Sequence, residues 1–186
     1  MDGVHVPSES QTRLIRIARR KLEDFVRGTQ RPLETVNDPY LQNRAYGAFV
    51  TLHKGDELRG CIGTCTPSAP LYQTVVDMTE AAASRDGRVT PISKDELNLI
   101  RIDISVLSLL ETVRDPLLLE AGKYGLHIAQ GQQRGVLLPQ VATQHRWDIK
   151  TFLEQTCLKA GLSRNAWQEP NTLISSFSAL IIEESL

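Results

Sequence analysis

The stretch YGAFVTLHKGDELRGCIGT, residues 46–64, carries two runs typical of β-strands on either side of a tight turn. Apolar and polar residues alternate along YGAFVTLH, which is the period of a strand with one buried face. Gly55 stands within KGDE, where a two-residue loop needs a residue that accepts a positive φ. The stretch therefore predicts an antiparallel hairpin and a sheet around it.

The register of this hairpin follows from the position of its loop. If residues 55–56 form the loop, Cys61 faces Val50 and Arg59 faces Leu52. Because side chains alternate between the two faces of a strand, a slip of one residue would exchange those faces. This register sets the expectation for where the Cys61 thiol points.

Elsewhere helix and strand patterns follow one another irregularly. Apolar spacing predicts an amphipathic helix over residues 9–27, and LIRIDISVL, residues 99–107, alternates as a strand with its isoleucines inward. Further predicted segments are helices at 70–86, 139–147 and 149–160, a hairpin at 124–130 and 134–139, and a strand at 172–184. Without regular βαβ alternation, this order favours an α+β fold, a mainly antiparallel sheet with packed helices.

The composition is that of an ordinary globular protein. Of 186 residues, 41% are hydrophobic and 23% charged, and the formal net charge of −1 gives no basic bias toward nucleic acid. The longest apolar run is about five residues, far short of the roughly 20 that span a bilayer. The opening MDGVHVPSES lacks the pattern of a secretory signal, and three cysteines cannot all pair, so a reduced, cytoplasmic protein is expected.

The first predicted helix carries a group of basic side chains. They fall largely outside its apolar stripe and comprise Arg13, Arg16, Arg19, Arg20 and Lys21. A solvated helix face is the simpler interpretation of this group, and a phosphate-binding stripe is the alternative.

The residues around Cys61 are unusual for a strand. On regular alternation Arg59, Cys61 and Gly63 share one face, and a guanidinium beside a thiol stabilises the thiolate, as in reactive cysteines. Glycine weakens a strand interior and often marks the close approach of a ligand or another backbone, which would place Gly60 and Gly63 in a binding surface. Alternatively, Cys61 is a small buried hydrophobe and the glycines accommodate a bulge or a packed helix.

The other cysteines and the histidines predict no metal site and no cofactor. Cys61 and Cys65 are four residues apart, which is not the spacing of a zinc knuckle, and no second cysteine pair exists. Cys65, where the strand ends, is expected to be exposed, and Cys157 is expected to pack in a helix core. His53 and His127 lie near predicted hairpin strands, and each is a candidate base for Cys61.

Four segments together resemble one known family. LHKGDELRGCIGT, ISVLS, RGVLLPQVA and FLEQTCLKAGL look like signatures of the AMMECR family, in that family's order and over nearly the whole chain. This domain is named after the AMME syndrome chromosomal region, and its bacterial and archaeal members are often called AmmeMemoRadiSam system protein A. There are two departures. Many members read Asp-Pro-Arg-Phe where residues 86–89 are Asp-Gly-Arg-Val, and many have His where Tyr124 stands, which argues against an essential base there.

The resemblance implies an architecture rather than a reaction. It implies one AMMECR-type domain over residues 1–186, with two unequal lobes around a cleft and the cysteine motif at or near that cleft. By genomic context, members resemble partners of a Memo-type protein, itself similar to extradiol dioxygenases, and of a radical S-adenosylmethionine enzyme. A modification pathway shared with those two partners is therefore expected. The short apolar runs argue against a membrane partner, and the net charge of −1 argues against nucleic acid.

Two functions remain open at this point. In the first, an enzyme or enzyme subunit binds a small anionic substrate, with Cys61 as nucleophile or redox thiol and Arg59 holding the anion. Gly60, Gly63 and Thr64 complete that site, Thr64 as a hydrogen-bond donor. In the second, the motif belongs to a noncatalytic regulatory module that docks a protein or nucleic acid. A base near Cys61 would favour the first function, and a flat apolar patch the second.

Overall fold

The computed structural model describes residues 3–32 and 34–185, which divide into two compact units. The first unit comprises residues 4–107 and 180–185, and the second comprises Gly3 with residues 108–179. Each unit has a hydrophobic cluster of its own, so each buries apolar surface around a separate core.

Within the described residues, the first unit is built from helices packed on a four-stranded sheet. Its elements are α1 (Ser8–Arg27), β1 (Gly47–Lys54), β2 (Glu57–Thr64), α2 (Leu71–Ser84), β3 (Ile100–Leu107) and, near the end of the chain, β8 (Ala179–Glu183). The strands of this sheet, called sheet A, lie in the order β2-β1-β3-β8. β2 is therefore an edge strand.

The second unit contains another four-stranded sheet, in the order β4-β7-β5-β6. Its elements are β4 (Glu111–Thr112), β5 (Gly125–Gln130), β6 (Gln133–Leu137), α3 (Pro139–His145), α4 (Ile149–Lys159) and β7 (Leu173–Phe177). Both sheets are antiparallel, which confirms the predicted α+β class. Over residues 3–32 and 34–185, no helix is long and apolar enough to cross a membrane.

The most periodic segments fold as predicted. α1 ends one residue before Gly28, whose φ of 69° supplies the left-handed cap that favours glycine. The inward residues of β3 are all buried, namely Ile100, Ile102, Ile104 and Val106. These segments were predicted correctly because one buried face fixes the spacing of their apolar residues.

A β-bulge in the first hairpin changes the predicted register. The pairing next to the loop is as expected, but beyond it Gly60, not Arg59, stands opposite Leu52. The extra residue shifts the remainder of β2, so Cys61 pairs with Thr51 and not with the valine expected. The predicted register was therefore wrong by one residue from the bulge onward.

The strand predicted over residues 172–184 is two strands. It breaks at Ser178, between β7 of the second sheet and β8 of sheet A. Ser178 is held in a mutual pair with Ser108, because Ser108 N–H donates to the Ser178 carbonyl and Ser178 N–H donates to Ser108 Oγ, both at 3.0 Å. The continuous apolar run concealed this change of sheet.

Candidate functional site

Cys61 lies in a row of three polar side chains that crosses sheet A. Its partner on β1 is Thr51, and Thr51 is paired in turn with Asp103 on β3. The Thr51 hydroxyl donates a hydrogen bond to Cys61 Sγ at 3.3 Å. Because Val50 and Leu52 on either side of Thr51 are fully buried, the row lies on the sheet face opposite the core.

Two side chains hold the backbone of Cys61 at the free edge of sheet A. An edge strand presents N–H and C=O groups that no neighbouring strand satisfies. Cys61 N–H donates to Asp86 Oδ2 at 2.9 Å, and Arg88 Nη2 donates to the Cys61 carbonyl at 3.1 Å. Asp86 and Arg88 are also ion-paired to each other at 2.6 Å. The two side chains, called the Asp86–Arg88 clamp, thus satisfy the backbone N–H and C=O of Cys61 that a neighbouring strand would otherwise pair.

The clamp places a positive charge beside the thiol residue. The hydrogen bond from Arg88 holds the pKa of Asp86 well below its usual range, although burial opposes it. The pKa of Arg88 is raised, chiefly by Asp86 and to a smaller extent by Cys61. Asp86 is therefore a carboxylate at neutral pH, and the Arg88 side chain, 56% exposed, presents its charge to solvent.

Arg59 points to a different partner. Its guanidinium donates from Nε to Glu96 Oε1 at 3.0 Å and from Nη2 to Glu96 Oε2 at 3.1 Å, and Arg59 as a whole is 6% exposed. The hydrogen bond from Arg59 lowers the pKa of Glu96 to about 2, with further help from Ser93 and Lys54. The expectation that Arg59 shares a strand face with Cys61 fails because the bulge interrupts alternation at this position.

Protein atoms occupy the space beside both motif glycines. A Cβ at Gly60 would lie 2.1 Å from the Ala82 carbonyl oxygen of α2. A Cβ at Gly63 would lie 2.3 Å from the Phe49 ring on β1. These contacts support the alternative of a bulge and a packed helix, while a substrate contact at either glycine stays a prediction.

The Thr64 hydroxyl takes part in the turn after β2. It accepts from Thr66 N–H at 3.1 Å and lies 3.2 Å from the Thr66 carbonyl, to which it donates. This local pairing occupies the group that was expected to donate to a substrate. A substrate contact at Thr64 therefore also stays a prediction.

A histidine–aspartate pair lies on the same face of sheet A as Cys61. His53 Nε2 is 3.1 Å from Asp103 Oδ2, and Arg101 also approaches that carboxylate, with Nε 3.4 Å from Oδ1. His127 belongs to the second unit, where burial lowers its pKa. Among the described residues, no three His, Cys, Asp or Glu side chains are placed to hold a metal ion.

The three thiols differ in their surroundings. All are free, Cys61 and Cys65 are half-buried, and Cys157 is 0% exposed. Burial raises the pKa of Cys65 to about 11 and also raises the pKa of Cys157. The core position of Cys157 is as predicted, whereas the expected exposure of Cys65 was wrong.

Comparison with known proteins identifies the family. Residues 15–182 match AMMECR1, and the chain belongs to the AMMECR1 family. A protein of Methanothermobacter thermautotrophicus is 39% identical over 92% of both chains, and one of Aeropyrum pernix is 39% identical over 92% of this chain and 78% of its own. The crystal structure of an uncharacterized protein from Pyrococcus horikoshii superposes with a TM-score of 0.89, at 32% identity, over 97% of this chain and 94% of that one. These relatives have no characterised function, so the reaction has to be inferred from the site.

Sequence reasoning missed three residues that contact Cys61, namely Thr51, Asp86 and Arg88. Thr51 was hidden by the bulge, which brings it opposite Cys61. Asp86 and Arg88 were visible only as the two letters of residues 86–89 that agree with the family pattern Asp-Pro-Arg-Phe. That agreement was a usable signal, because these two positions form the clamp.

Proposed function

We propose that this protein binds a small anionic substrate beside Cys61 and that the Cys61 sulfur acts as the nucleophile. The observation that carries the proposal is the set of contacts on one residue. The Thr51 hydroxyl donates to Cys61 Sγ at 3.3 Å. The Asp86–Arg88 clamp, with its exposed guanidinium, fixes the Cys61 backbone. A hydroxyl and an exposed guanidinium close to a thiol are typical surroundings of a nucleophilic cysteine.

Arg88 is the better candidate than Arg59 for holding the anion. Arg59 is buried against Glu96, whereas Arg88 is exposed and uses Nε and Nη2 for the clamp. Among the described residues, no acceptor is paired with Arg88 Nη1. A carboxylate or phosphate oxygen of a substrate would complete the donor fork of this guanidinium.

His53 is the candidate base on this face. It lies two residues along β1 from Thr51, so it is a diagonal neighbour of Cys61 across the bulge between Leu52 and His53. That separation requires a water or the substrate between the imidazole and the thiol. In the proposed step a bond forms between sulfur and an electrophilic atom of the substrate, while a bond from that atom to a leaving group breaks and the leaving group takes the electron pair. The thiol proton passes to His53, and Asp103 at 3.1 Å stabilises the imidazolium.

The wider setting of this activity comes from the family resemblance. We propose service in a pathway shared with a Memo-type protein and a radical S-adenosylmethionine enzyme. Three free cysteines support a reducing, cytoplasmic location for it. The division into two compact units supports one AMMECR-type domain with two subdomains.

The test compares two alkylating agents that differ in charge. Iodoacetate is anionic and iodoacetamide is neutral, so the ratio of their rates at Cys61 reports a nearby cation. A full charge within about 6 Å in water is worth about 0.7 kcal/mol, or roughly threefold in that ratio. Peptide mapping by mass spectrometry confines the measurement to Cys61, and 2-mercaptoethanol, which carries no charge apart from its thiol, supplies the ratio for an isolated thiol.

Two matched variants decide the result. Arg88→Gln should lower the ratio by about threefold, whereas Arg85→Gln, which removes the same charge from an exposed neighbour in the same loop, should leave it unchanged. A wild-type ratio equal to that of 2-mercaptoethanol would disprove anion recognition at this site. If Cys61 is alkylated only after denaturation, the nucleophile assignment is wrong and the motif serves packing.

A further inference from the structure

A separate cavity of about 280 Å³ lies against α1 in the first unit. It shares no residue with β2 or with the Asp86–Arg88 clamp. Its walls come from one side of α1, from the segment that follows this helix, and from one residue of α2. The lining residues are Arg16, Ile17, Arg20, Lys21, Asp24, Thr29, Gln30, Arg31, Glu34 and Val76.

The lining carries more positive than negative charge. Four cationic side chains line the cavity beside the two carboxylates of Asp24 and Glu34. Two of these cations have partners outside the lining, Lys21 with Glu80 and Arg31 with Glu23. Asp24, 7% exposed, is already held by Arg31 Nε at 2.6 Å and by Thr29 Oγ1 at 2.8 Å. Glu34 accepts from Arg13 at 3.0 Å. These pairs leave Arg16 and Arg20 as the lining cations without a close carboxylate partner among the described residues.

Arg16 and Arg20 carry most of that uncompensated charge. The nearest carboxylate oxygen to Arg16 is 4.0 Å away, on Glu34, and the Arg16 side chain is 68% exposed. Arg20 donates from Nη2 to the Pro32 carbonyl at 3.0 Å, which does not neutralise it. The two arginines are four residues apart on α1, so they lie on one face and repel each other. An anion bound between them would remove this repulsion.

We infer that this cavity binds a small phosphate monoester. Such a group carries a charge of about −1.5 to −2 at neutral pH, which is opposite in sign to the two guanidinium groups of Arg16 and Arg20. Guanidinium groups pair with phosphate oxygens through two parallel hydrogen bonds. Gln30 adds polar groups, while Ile17 and Val76 supply an apolar wall for the organic part of the ligand. The basic face of α1 is thus a binding stripe rather than only a solvated surface.

Calorimetry with three probes tests the inference on the full chain. Ribose 5-phosphate and inorganic phosphate should bind at one site, and ribose, which lacks the charge, should not. Arg16→Gln and Arg20→Gln should each weaken binding of ribose 5-phosphate by about tenfold, the loss expected for one charge-assisted hydrogen bond. The matched control is Arg27→Gln, an equal loss of charge at an exposed position of α1 outside the cavity, which should change affinity less than about twofold.

Each other result overturns the inference. If neither phosphate compound binds at millimolar concentration, the cavity is not a phosphate site. Equal weakening by Arg27→Gln would show that general surface charge attracts the anion. Loss of binding in Cys61→Ser would place the anion at the other site. If Arg20→Gln unfolds through loss of its bond to Pro32, the exposed Arg16→Gln variant decides the outcome.

Discussion

Arg59 and Glu96 form a two-point ion pair, with Nε and Nη2 of the guanidinium 3.0 and 3.1 Å from the two carboxylate oxygens. The pair joins the bulge of β2 to the segment before β3 and is largely buried. A buried pair is costly to break because the remaining partner keeps an uncompensated charge. Arg59 is therefore a structural residue of the hairpin. Its ion pair with Glu96 makes the stability of the protein depend on pH in the acid range.

Acid should weaken the fold through Glu96. Its pKa is lowered from 4.5 to about 2, so its stabilising contribution is complete above pH 4.5 and is lost as pH falls toward 2. A shift of this size corresponds to roughly 2–3 kcal/mol in the free energy of unfolding. Urea unfolding from pH 2 to 6 measures it. Glu96→Gln should be less stable at pH 7 and should lose less stability over the acid range, whereas parallel curves for the two proteins would contradict the prediction.

Gly60→Ala should destabilise the protein strongly. The added Cβ would lie 2.1 Å from a backbone oxygen of α2, and a helix backbone cannot move aside as a flexible side chain can. Overpacking of this kind costs on the order of 1–3 kcal/mol or more. Chemical denaturation measures the loss. A free energy of unfolding equal to that of the wild type would show that β2 and α2 separate easily.

Gly87→Ala is the matched substitution and should have the opposite effect. No atom lies within 4 Å of the Cβ position at Gly87, and its φ is not positive. Replacing such a glycine restricts the unfolded chain and stabilises by about 0.4–1 kcal/mol. The same denaturation experiment measures this gain. A loss of stability instead would mean that the loop carrying the Asp86–Arg88 clamp needs the freedom of glycine.

The segments that sequence could predict are those in which burial dictates periodicity. β3 needs its isoleucines on one face, and α1 needs an apolar stripe, so both were located within a residue. The predicted start of α4 at Ile149 is also correct, because it depends on a local contact, the N-cap Asp148 accepting from Thr151 N–H at 2.7 Å. A single sequence therefore predicts the features that depend on apolar periodicity or on contacts between residues close in the chain.

The candidate site was only partly predictable because its contacts are not local. A single extra residue in β2 changes the partner of Cys61 to Thr51, and no feature of the alternating pattern reports that bulge. Arg88 reaches Cys61 from 27 positions along the chain. The two motif glycines predicted either space for a ligand or a bulge with a packed helix, and at Gly60 the close neighbour is a helix carbonyl. The glycines in the sequence indicated a close approach to β2 but not which atoms approach it.

Thr51→Val should slow alkylation of Cys61 without a large change in stability. Valine keeps the shape of threonine and removes the hydroxyl that donates to Cys61 Sγ at 3.3 Å. Loss of one hydrogen bond to sulfur corresponds to about 0.5–1.5 kcal/mol. Iodoacetamide labelling at pH 7 with peptide mapping measures the rate. Thr51→Ser keeps the donor and should react as the wild type does, and equal slowing by both variants would rule out the hydroxyl as the cause.

The three thiols should react in a fixed order, with Cys61 first. Burial raises the pKa of Cys65 to about 11 and raises that of Cys157, so both remain protonated at pH 8. At that pH a thiol with a pKa of about 11 has roughly one thiolate in a thousand, and only the thiolate is alkylated. Iodoacetamide at pH 8 should therefore label Cys61 alone in the native protein, Cys65 should follow only as the pH approaches 11, and Cys157 should need unfolding. Guanidinium-denatured protein, in which all three thiols react, is the control for peptide recovery. Native labelling of Cys65 before Cys61 would show that the sheet edge at Cys61 is closed to solutes. The assignment of Cys61 as the nucleophile would then be wrong.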